Sequence, residues 1–413
     1  MSTIARPEPA MRSGNLAAFS SPAFRLYFAG QLVSVSGTWM QSVAQQVVVY
    51  NLTKSETALG VVACAQGLPA LFLTPFAGVI VERFPRRSIL IATQSAMMIL
   101  AFILAALQFA NVLQVWHIMA LSLGLGIANA LDAPARQSFV VEMVGHDQLS
   151  SGIVLNSIMF NAARIIGPAL AGLALEQIGP AWCFFLNGVS FLAVIAGLFL
   201  MHVSSVIHLQ GRVSIWKPLL EGVEFARTHL SIRPLLMLSA ITSVFGITFA
   251  VLLPAFADQV LKDTTGGTAA LLTAQGAGAV LAGVATARAN TTGRRGQLLV
   301  VCALAAPACI VLFGLNRNYI MALILAALCG FFLICQFVLM NTLIQVVVPD
   351  EFRGRVMSLY TLTFFGLQPF SALAIGVLAQ ILSTPFAILT YGAVCLLFTA
   401  SVLWRYRHLA QLT

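Results

Sequence analysis

A row of uncharged polar side chains runs along the first long apolar segment of the chain. Its members recur every three or four residues, so they share one face of a helix: Gln31, Ser34, Thr38, Gln41 and Gln45. These amides and hydroxyls suit hydrogen bonding to a bound molecule, and the row contains no His, Cys or carboxylate to activate a hydroxyl. An unsatisfied amide is costly in an apolar surrounding. The row therefore lines a water-filled cavity or bonds neighbouring helices, and we expect the cavity because the row is long.

A single positive charge lies well inside another apolar segment. Arg164 shares a helical face with Ser157, Asn161 and Pro168, at spacings of four, three and four residues. A guanidinium at the centre of a bilayer costs at least ~2.5 kcal/mol, so a functional role is expected. It could bind an anionic group of a substrate, keep a nearby carboxylate ionised, or pair with backbone carbonyls. Five further polar residues complete the predicted cavity: Asn129, Asn161, Gln275, Gln336 and Gln368.

Twelve apolar segments carry these residues, each near the roughly 20 residues that a helix needs to cross a bilayer. The chain is 59% hydrophobic and 8% charged, whereas soluble domains carry about 25% charged residues. We therefore predict an all-α membrane protein of two pseudo-symmetric six-helix bundles. The segments are predicted at 26–50, 57–82, 88–110, 113–135, 150–176, 181–203, 233–256, 268–290, 296–314, 318–345, 354–382 and 384–406.

The placement of positive charge predicts the orientation. When loops are assigned to alternate sides, 18 of the 22 Lys and Arg residues fall on one side and three on the other. By the positive-inside rule, both termini and the middle loop are cytoplasmic. The net charge of +9 therefore reflects topology, and no nucleic-acid partner is expected.

Five regions follow from these assignments. Residues 1–25 form a cytoplasmic N-terminal segment, 26–203 the first bundle, 204–232 a cytoplasmic linker, 233–406 the second bundle and 407–413 a cytoplasmic C-terminus. Within the linker, apolar residues at helical spacing predict an amphipathic helix on the membrane surface, either a passive tether or a regulatory lever.

The turn after the second segment carries a motif. Residues 78–87 read Gly-Val-Ile-Val-Glu-Arg-Phe-Pro-Arg-Arg, which resembles the G-x-x-x-D-R-x-G-R-R/K signature of the major facilitator superfamily. Glu82 replaces the usual Asp, and Pro85 stands where Gly is common. The resemblance implies a gating latch that closes the cytoplasmic seam in the outward-open state; the alternative is that these arginines only anchor topology. The implied latch residues are Gly78, Glu82, Arg83, Arg86 and Arg87, with Asp132 and Arg136 nearby as partners.

A second motif lies in the fifth segment. The sequence from Gly167 through Pro168 to Gly172 is similar to the G-P-x-x-x-G core found in antiporters of the superfamily, where it implies a pivot. Residues 36–41, 132–137 and 218–222 look like the bacterial branch that includes enterobactin exporters. This resemblance implies export of a siderophore or another amphipathic compound, with proton antiport as the default. Asp132, placed near a span end, is the best candidate for proton coupling.

Several function classes are not supported by the residues present. The chain has no GxxxxGK[ST] loop and no His/Cys cluster with metal-ligand spacing, so ATP hydrolysis, cofactors and metals are not expected. We predict a transporter, not an enzyme, in the bacterial inner membrane. Its expected partners are a small-molecule substrate, protons and membrane lipids, and it is expected to be a monomer. The alternatives are a lipid or lysophospholipid flippase of the same fold and, outside transport, a membrane sensor or assembly protein.

Overall fold

The computed structural model describes residues 16–145, 147–201 and 216–412. Most of the predicted N-terminal segment and the first part of the predicted linker lie outside these residues. The first half consists of six long helices joined by short turns. They are α1 (Pro22–Thr53), α2 (Glu56–Arg83), α3 (Arg86–Phe109), α4 (Val115–Val144), α5 (Leu149–Gln177) and α6 (Pro180–Leu200).

The linker contributes one short helix, and the second half again contains six spans. The linker helix is α7 (Trp216–Thr228). Two of the six spans are interrupted: α8 (Ile232–Ile241) and α9 (Leu253–Phe256) belong to one span that continues to Leu261 through π and 3-10 turns, and α13 (Asp350–Phe365) is followed by α14 (Gln368–Leu382). The others are α10 (Thr265–Thr292), α11 (Arg295–Leu315), α12 (Tyr319–Val347) and α15 (Thr384–Arg405).

Residue types at the helix ends explain where the helices begin and end. The Ser21, Ser55 and Asn318 side chains accept hydrogen bonds from backbone N–H groups in the first turns of α1, α2 and α12, as N-caps do. Gly145 and Gly179 follow α4 and α5 with positive φ angles, which glycine adopts without strain. These local signals keep most helix ends within a few residues of the predictions.

Eleven helices or spans of the described residues are long and apolar enough to cross a membrane. The remaining long helix, α1, has 32 residues but is enriched in amides and hydroxyls, which lower its mean hydropathy. The predicted fold class of two six-helix bundles is confirmed. Two ends were predicted too early: α4 extends to Val144 and the seventh span to Leu261. Charged residues and prolines near both predicted ends are typical of helix ends. In the structure, however, Pro134 and Pro254 lie inside spans that continue beyond them.

The two halves pack against each other mainly through two helix pairs, α2 with α14 and α5 with α10. Within the first half α1 packs against α5 and α6, and within the second half α10 packs against α12. Small residues permit close approach. A Cβ built on Gly60 of α2 would lie 2.4 Å from the Ala372 carbonyl oxygen of α14. These two helix pairs therefore surround whatever space remains between the halves.

The linker helix α7 is bound to the second half by side-chain contacts, and its position at the membrane surface stays a prediction. Its Glu221 forms an ion pair with Arg355 of α13 at 2.7 Å. Its Phe225 stacks on Phe352 with ring centroids 4.5 Å apart. These contacts join α7 to the start of α13, because its aromatic and acidic side chains find complementary partners there.

Candidate functional site

A cavity of about 390 Å³ lies between the two halves. Its volume falls within the roughly 300–1,000 Å³ of small-molecule sites. The first half contributes Trp39, Gln45, Gln46, Gln66, Arg164 and Pro168. The second half contributes Gln275, Gly276, Phe337, Phe364, Phe365 and Gln368. A molecule in this cavity would contact both bundles at once, so its binding depends on how the bundles are arranged.

Among the described residues that line the cavity, Arg164 is the one with a positive charge. Its guanidinium lies over the indole ring of Trp39, with Cζ 5.3 Å from the ring centroid. No ion pair joins Arg164 to a carboxylate among the described residues. The cation–π contact contributes about 0.5–2 kcal/mol, less than an ionic partner would in such a place. The guanidinium is thus available to an anionic group, which favours the first of the roles considered for it.

Aromatic and amide side chains form the rest of the wall. Phe337 of α12 and Phe364 of α13 have ring centroids 4.4 Å apart, and Phe364 and Phe365 are 4.9 Å apart. Two glutamines of the first half and two of the second face the same space: Gln46, Gln66, Gln275 and Gln368. The wall can therefore receive a molecule that is apolar on one side and carries an anion and hydrogen-bonding groups on the other.

The cavity has two unlike ends. We call the side of the protein where α1 is followed by α2 the far end. The opposite side, where α2 is followed by α3, is the near end. At the far end Lys54 of the first half pairs with Asp258 of the second at 3.1 Å. At the near end, a Cβ built on Gly78 of α2 or on Gly283 of α10 would meet no described atom within 4 Å. The halves are therefore in contact at the far end, whereas these two glycines of the near end make no such contact.

The sequence profile of transmembrane secretion effectors matches residues 13–412. The chain belongs to this family of the major facilitator superfamily. The enterobactin exporter EntS of Escherichia coli O9:H4 is 23% identical over 398 residues, 94% of each chain. The staphyloferrin A transporter of Staphylococcus aureus is 21% identical over 57% of this chain and 59% of the relative's length. These relatives are transporters and exporters, a class that performs no chemical reaction.

Solved structures show the same fold. A POT family transporter in complex with 5-aminolevulinic acid superposes with a TM-score of 0.77 at 12% identity, covering 94% of this chain and 97% of the other. A D-xylose–proton symporter gives a TM-score of 0.70 at 14% identity, with 94% and 97% covered. The protein is therefore a multi-pass membrane transporter of the major facilitator fold, and the resemblance seen in the sequence is confirmed.

The polar row of α1 in this secretion effector lies mostly inside the first bundle. Gln45 lines the cavity, and its Nε2 donates to Ser122 Oγ of α4 at 3.0 Å. Gln41 accepts a hydrogen bond from Asn187 of α6 at 2.7 Å. Thr38 donates to the Ser34 carbonyl oxygen of its own helix, and Gln31 is 1% exposed. Two members of the row, Gln41 and Gln45, thus bond neighbouring helices, which is the alternative considered for the row. The residues of α1 that line the cavity are Trp39, Ser42, Gln45, Gln46 and Val49.

The other predicted cavity residues divide into two groups. Arg164, Gln275 and Gln368 line the cavity. Asn129 and Asn161 instead donate to carbonyl oxygens of their own helices, four residues earlier. Gln336 is buried and donates to Thr242 Oγ1 at 2.7 Å. A side chain in an apolar span can satisfy its polar atoms locally, so polarity alone does not place it on the cavity wall.

The predicted pivot residues of α5 lie at two different helix contacts. A Cβ on Gly167 would lie 2.3 Å from Cβ of Trp39 in α1, and one on Gly172 would lie 3.1 Å from Cβ of Ala269 in α10. Pro168 has no N–H to bond the carbonyl of Arg164, and Gly276 of α10 packs closely on that carbonyl. The motif therefore brings α5 close to one helix of each half, next to the cavity.

The predicted latch residues make contacts within the first half. Arg86 pairs with Glu142 of α4 at 2.6 Å, not with Asp132 as expected. Arg87 donates to the Phe199 carbonyl oxygen at 3.0 Å. Arg83 ends α2 and is exposed, and the Glu82 side chain lies outside what the structure describes. The longer α4 explains the difference, because it places Glu142, and not Asp132, beside the turn.

Asp132 lies inside α4, not near the end of a span as predicted. It is completely buried, and it accepts hydrogen bonds from Thr93 at 3.0 Å and Gln94 at 2.9 Å on α3. Its other oxygen pairs with Arg136 at 3.1 Å. The first bundle therefore contains a buried carboxylate that is bound by partners on two helices and lies away from the cavity wall.

Two sets of site residues were not predicted from the sequence. The aromatic wall of Phe337, Phe364 and Phe365 was hidden among 28 phenylalanines, most of which have the same apolar neighbours. Glu56, which joins the two halves at the far end, stands at the start of an ordinary apolar segment. A carboxylate directly after a short turn, followed by an apolar run, is the one signal that could have singled it out.

Proposed function

We propose that this secretion effector exports a small, amphipathic, anionic compound across the bacterial inner membrane. The observation that carries the proposal is Arg164, a cation in a cavity between the halves that has no carboxylate partner among the described residues. The aromatic wall would receive the apolar part of the compound, and the glutamines its hydrogen-bonding groups. The exporters among the relatives support the direction, and their names support a siderophore or a compound of similar character.

The proposed mechanism is alternating access. We take the near end, which the positive-inside rule assigns to the cytoplasm, as the open end of the cavity, because Gly78 and Gly283 there meet no described atom within 4 Å. Closing the near end and opening the far end would release the compound on the other side. Gly78, Glu82, Arg83, Arg86 and Arg87 would form the latch that holds the near end shut in that second state. The near-end gap around Gly78 supports this role, since the latch would be unmade in the present state.

Proton antiport is the proposed energy source, with Asp132 as the candidate carboxylate. Its burial among Thr93, Gln94 and Arg136 means that a change of its charge would alter the packing of α3 against α4. Because α4 also packs on α2, such a change could reach the helix that carries the latch. A change of charge at Asp132 would in this way favour one conformation of the transporter over the other.

Flux into proteoliposomes tests the function. The probe is a catecholate siderophore, with an uncharged dye of similar size as the control compound. Wild-type protein should transport the siderophore and respond to an imposed pH gradient. Arg164→Ala should reduce its transport about tenfold or more, since a charge-assisted contact contributes roughly 1.5–3 kcal/mol. Arg164→Lys, which retains the charge, should retain part of the transport.

Other outcomes would redirect the proposal. Equal siderophore flux in wild type and Arg164→Ala would remove Arg164 from the site. Flux indifferent to the pH gradient would exclude proton antiport. Flux of a fluorescent lysolipid alone would favour the flippase alternative, for which the exposed Phe72 and Phe76 on the near-end part of α2 offer an apolar approach. Specific binding of a partner without any flux would favour the sensor or assembly role.

A further inference from the structure

Glu56 joins the two halves of the protein at the far end. It is the first residue of α2, in the first half, and it is 4% exposed. Its Oε1 accepts a hydrogen bond from Gln259, near the end of the seventh span, and another from Thr384 Oγ1, the first residue of α15, at 3.0 Å. One carboxylate oxygen of the first half is thus bound by two spans of the second.

The backbone of Glu56 holds a third span. Its N–H donates to Gln380 Oε1 of α14 at 3.1 Å, and the neighbouring Ser55 hydroxyl donates to the same oxygen at 2.7 Å. A Cβ built on Gly376 of α14 would lie 2.6 Å from the Glu56 carbonyl oxygen. The far end is therefore closed around Glu56, whose side chain and backbone both contact the second half.

The donors to the carboxylate are uncharged, and the charged groups nearby are engaged with one another. Lys54 pairs with Asp258, with Lys262 following at the end of the seventh span. On α1, the Tyr50 hydroxyl accepts from the same Gln259 amide. The partners from α14 and α15 are neutral. At the neighbouring α5–α10 contact, Glu176 and Asp263 face each other beside Gly266.

A carboxylate surrounded by donors accepts stronger hydrogen bonds than a carboxylic acid does. The ionised form of Glu56 therefore strengthens the bonds to Gln259 and Thr384, and it favours a closed far end. Protonation removes the charge from these bonds and weakens them. The same proton has no such effect on the near end, where Glu56 makes no contact.

We propose that Glu56 is a proton-binding site: ionised, it holds the far end closed, and a proton taken from the aqueous phase at that end releases it. The inference rests on the proposed transport cycle, in which the far end must open.

The experiment measures the far-end distance between spin labels at Val112→Cys and Ile320→Cys in proteoliposomes, without substrate, across a range of external pH. Both positions are exposed; Cys64→Ser removes the one native cysteine that is not buried. In the otherwise wild-type protein the longer distance should gain population as the pH falls. Glu56→Gln, a neutral side chain of the same shape, should raise the ratio of open to closed far end about tenfold at high pH and lose the pH response.

Two further variants make the result decisive. Asp258→Asn removes a carboxylate from the same end, in a pair with half-exposed side chains, and it should keep the wild-type pH response. Thr384→Val removes one donor to Glu56 Oε1 and should shift the population in the same direction as Glu56→Gln, but by less. If Glu56→Gln does not fold, Thr384→Val still tests the proposal.

A wild-type pH response in Glu56→Gln, or a closed far end in that variant at every pH, would overturn the proposal. An unchanged far end in Thr384→Val would do the same. Siderophore flux, measured separately, tests the proposed function. A protein that transports nothing yet opens its far end in acid would refute the function while supporting the proton site.

Discussion

The two ends of the cavity are built from the same helices but in opposite ways. At the far end α2 and α14 touch backbone to backbone, with Gly60 and Gly376 removing the side chains that would separate them. At the near end the same α2 presents Gly78, on which a built Cβ would meet no described atom within 4 Å, and Arg86 and Arg87 bond within their own half. The far end is thus sealed by shape and by polar bonds between the halves, whereas at the near end the bonds of Arg86 and Arg87 lie within the first half.

This difference shows where sequence motifs are informative. The near end carries the motif that resembles a known signature, yet the contacts between halves lie at the far end, around residues without any recognisable pattern. A motif of charged residues is visible in a sequence because it interrupts apolar segments. A seal made of glycine contacts and one buried carboxylate leaves no such interruption.

The largest expected effect comes from placing the same side chain at each end of α2. Gly60→Val would put a Cβ 2.4 Å from the Ala372 carbonyl oxygen. Overpacking costs typically about 1–3 kcal/mol, which corresponds to a five- to hundredfold shift toward an open far end. Gly78→Val makes the same change of residue in the same helix, but its Cβ meets no described atom within 4 Å. It should leave the far end unchanged.

Far-end spin-label distances and siderophore flux measure both variants. We expect Gly60→Val to open the far end and reduce flux in proportion. If Gly78→Val opened the far end equally, the loss of glycine from α2 would be the cause, and not the contact with α14. A far end that stayed closed in Gly60→Val would contradict the seal itself.

A smaller effect on the far end, accompanied by a loss of stability, is expected from a change inside the first bundle. Asp132→Asn keeps the shape of the side chain but leaves Arg136 without its ionic partner at 3.1 Å. Breaking a buried pair in this way costs about 3–5 kcal/mol of unfolding free energy, so a large fall in Tm is expected in detergent. The effect on the far-end distance should be smaller, because the pair lies within one half.

The double variant Asp132→Asn/Arg136→Gln provides the control for this prediction. Removing both charges should recover part of the lost stability, since no unpaired charge remains. Flux that loses its pH dependence in Asp132→Asn would support Asp132 as the coupling carboxylate. A Tm equal to that of wild type in Asp132→Asn would show that the pair contributes nothing to the bundle.

Much of the fold, and less of the site, could be predicted from the sequence. The twelve segments were found because each is a continuous apolar run, and Arg164, Gln275 and Gln368 were found because a polar group inside such a run is costly. The prediction for the cavity-facing side of α1 is wrong by about one residue, since Gln31 and Ser34 are buried and Gln41 accepts a hydrogen bond from Asn187 inside the same bundle. Asp132 was placed near a span end because charges beside it resembled a boundary. Contacts between distant helices decide such cases, and no local pattern records them.

The smallest expected effect is at the exposed ion pair of the far end. Lys54→Met retains the apolar stem but removes the charge that pairs with Asp258, where the side chains are 55% and 32% exposed. Exposed pairs contribute about 0.2–1 kcal/mol and are screened by salt. The ratio of open to closed far end should therefore change less than about fivefold, and the change should disappear at high salt.

The buried bonds of Glu56, which salt screens much less, should show a larger and salt-independent effect in the same measurement. If Lys54→Met opened the far end as much as Glu56→Gln, the exposed pair would be the principal lock, and the contrast between a buried seal and an exposed rim would have to be abandoned.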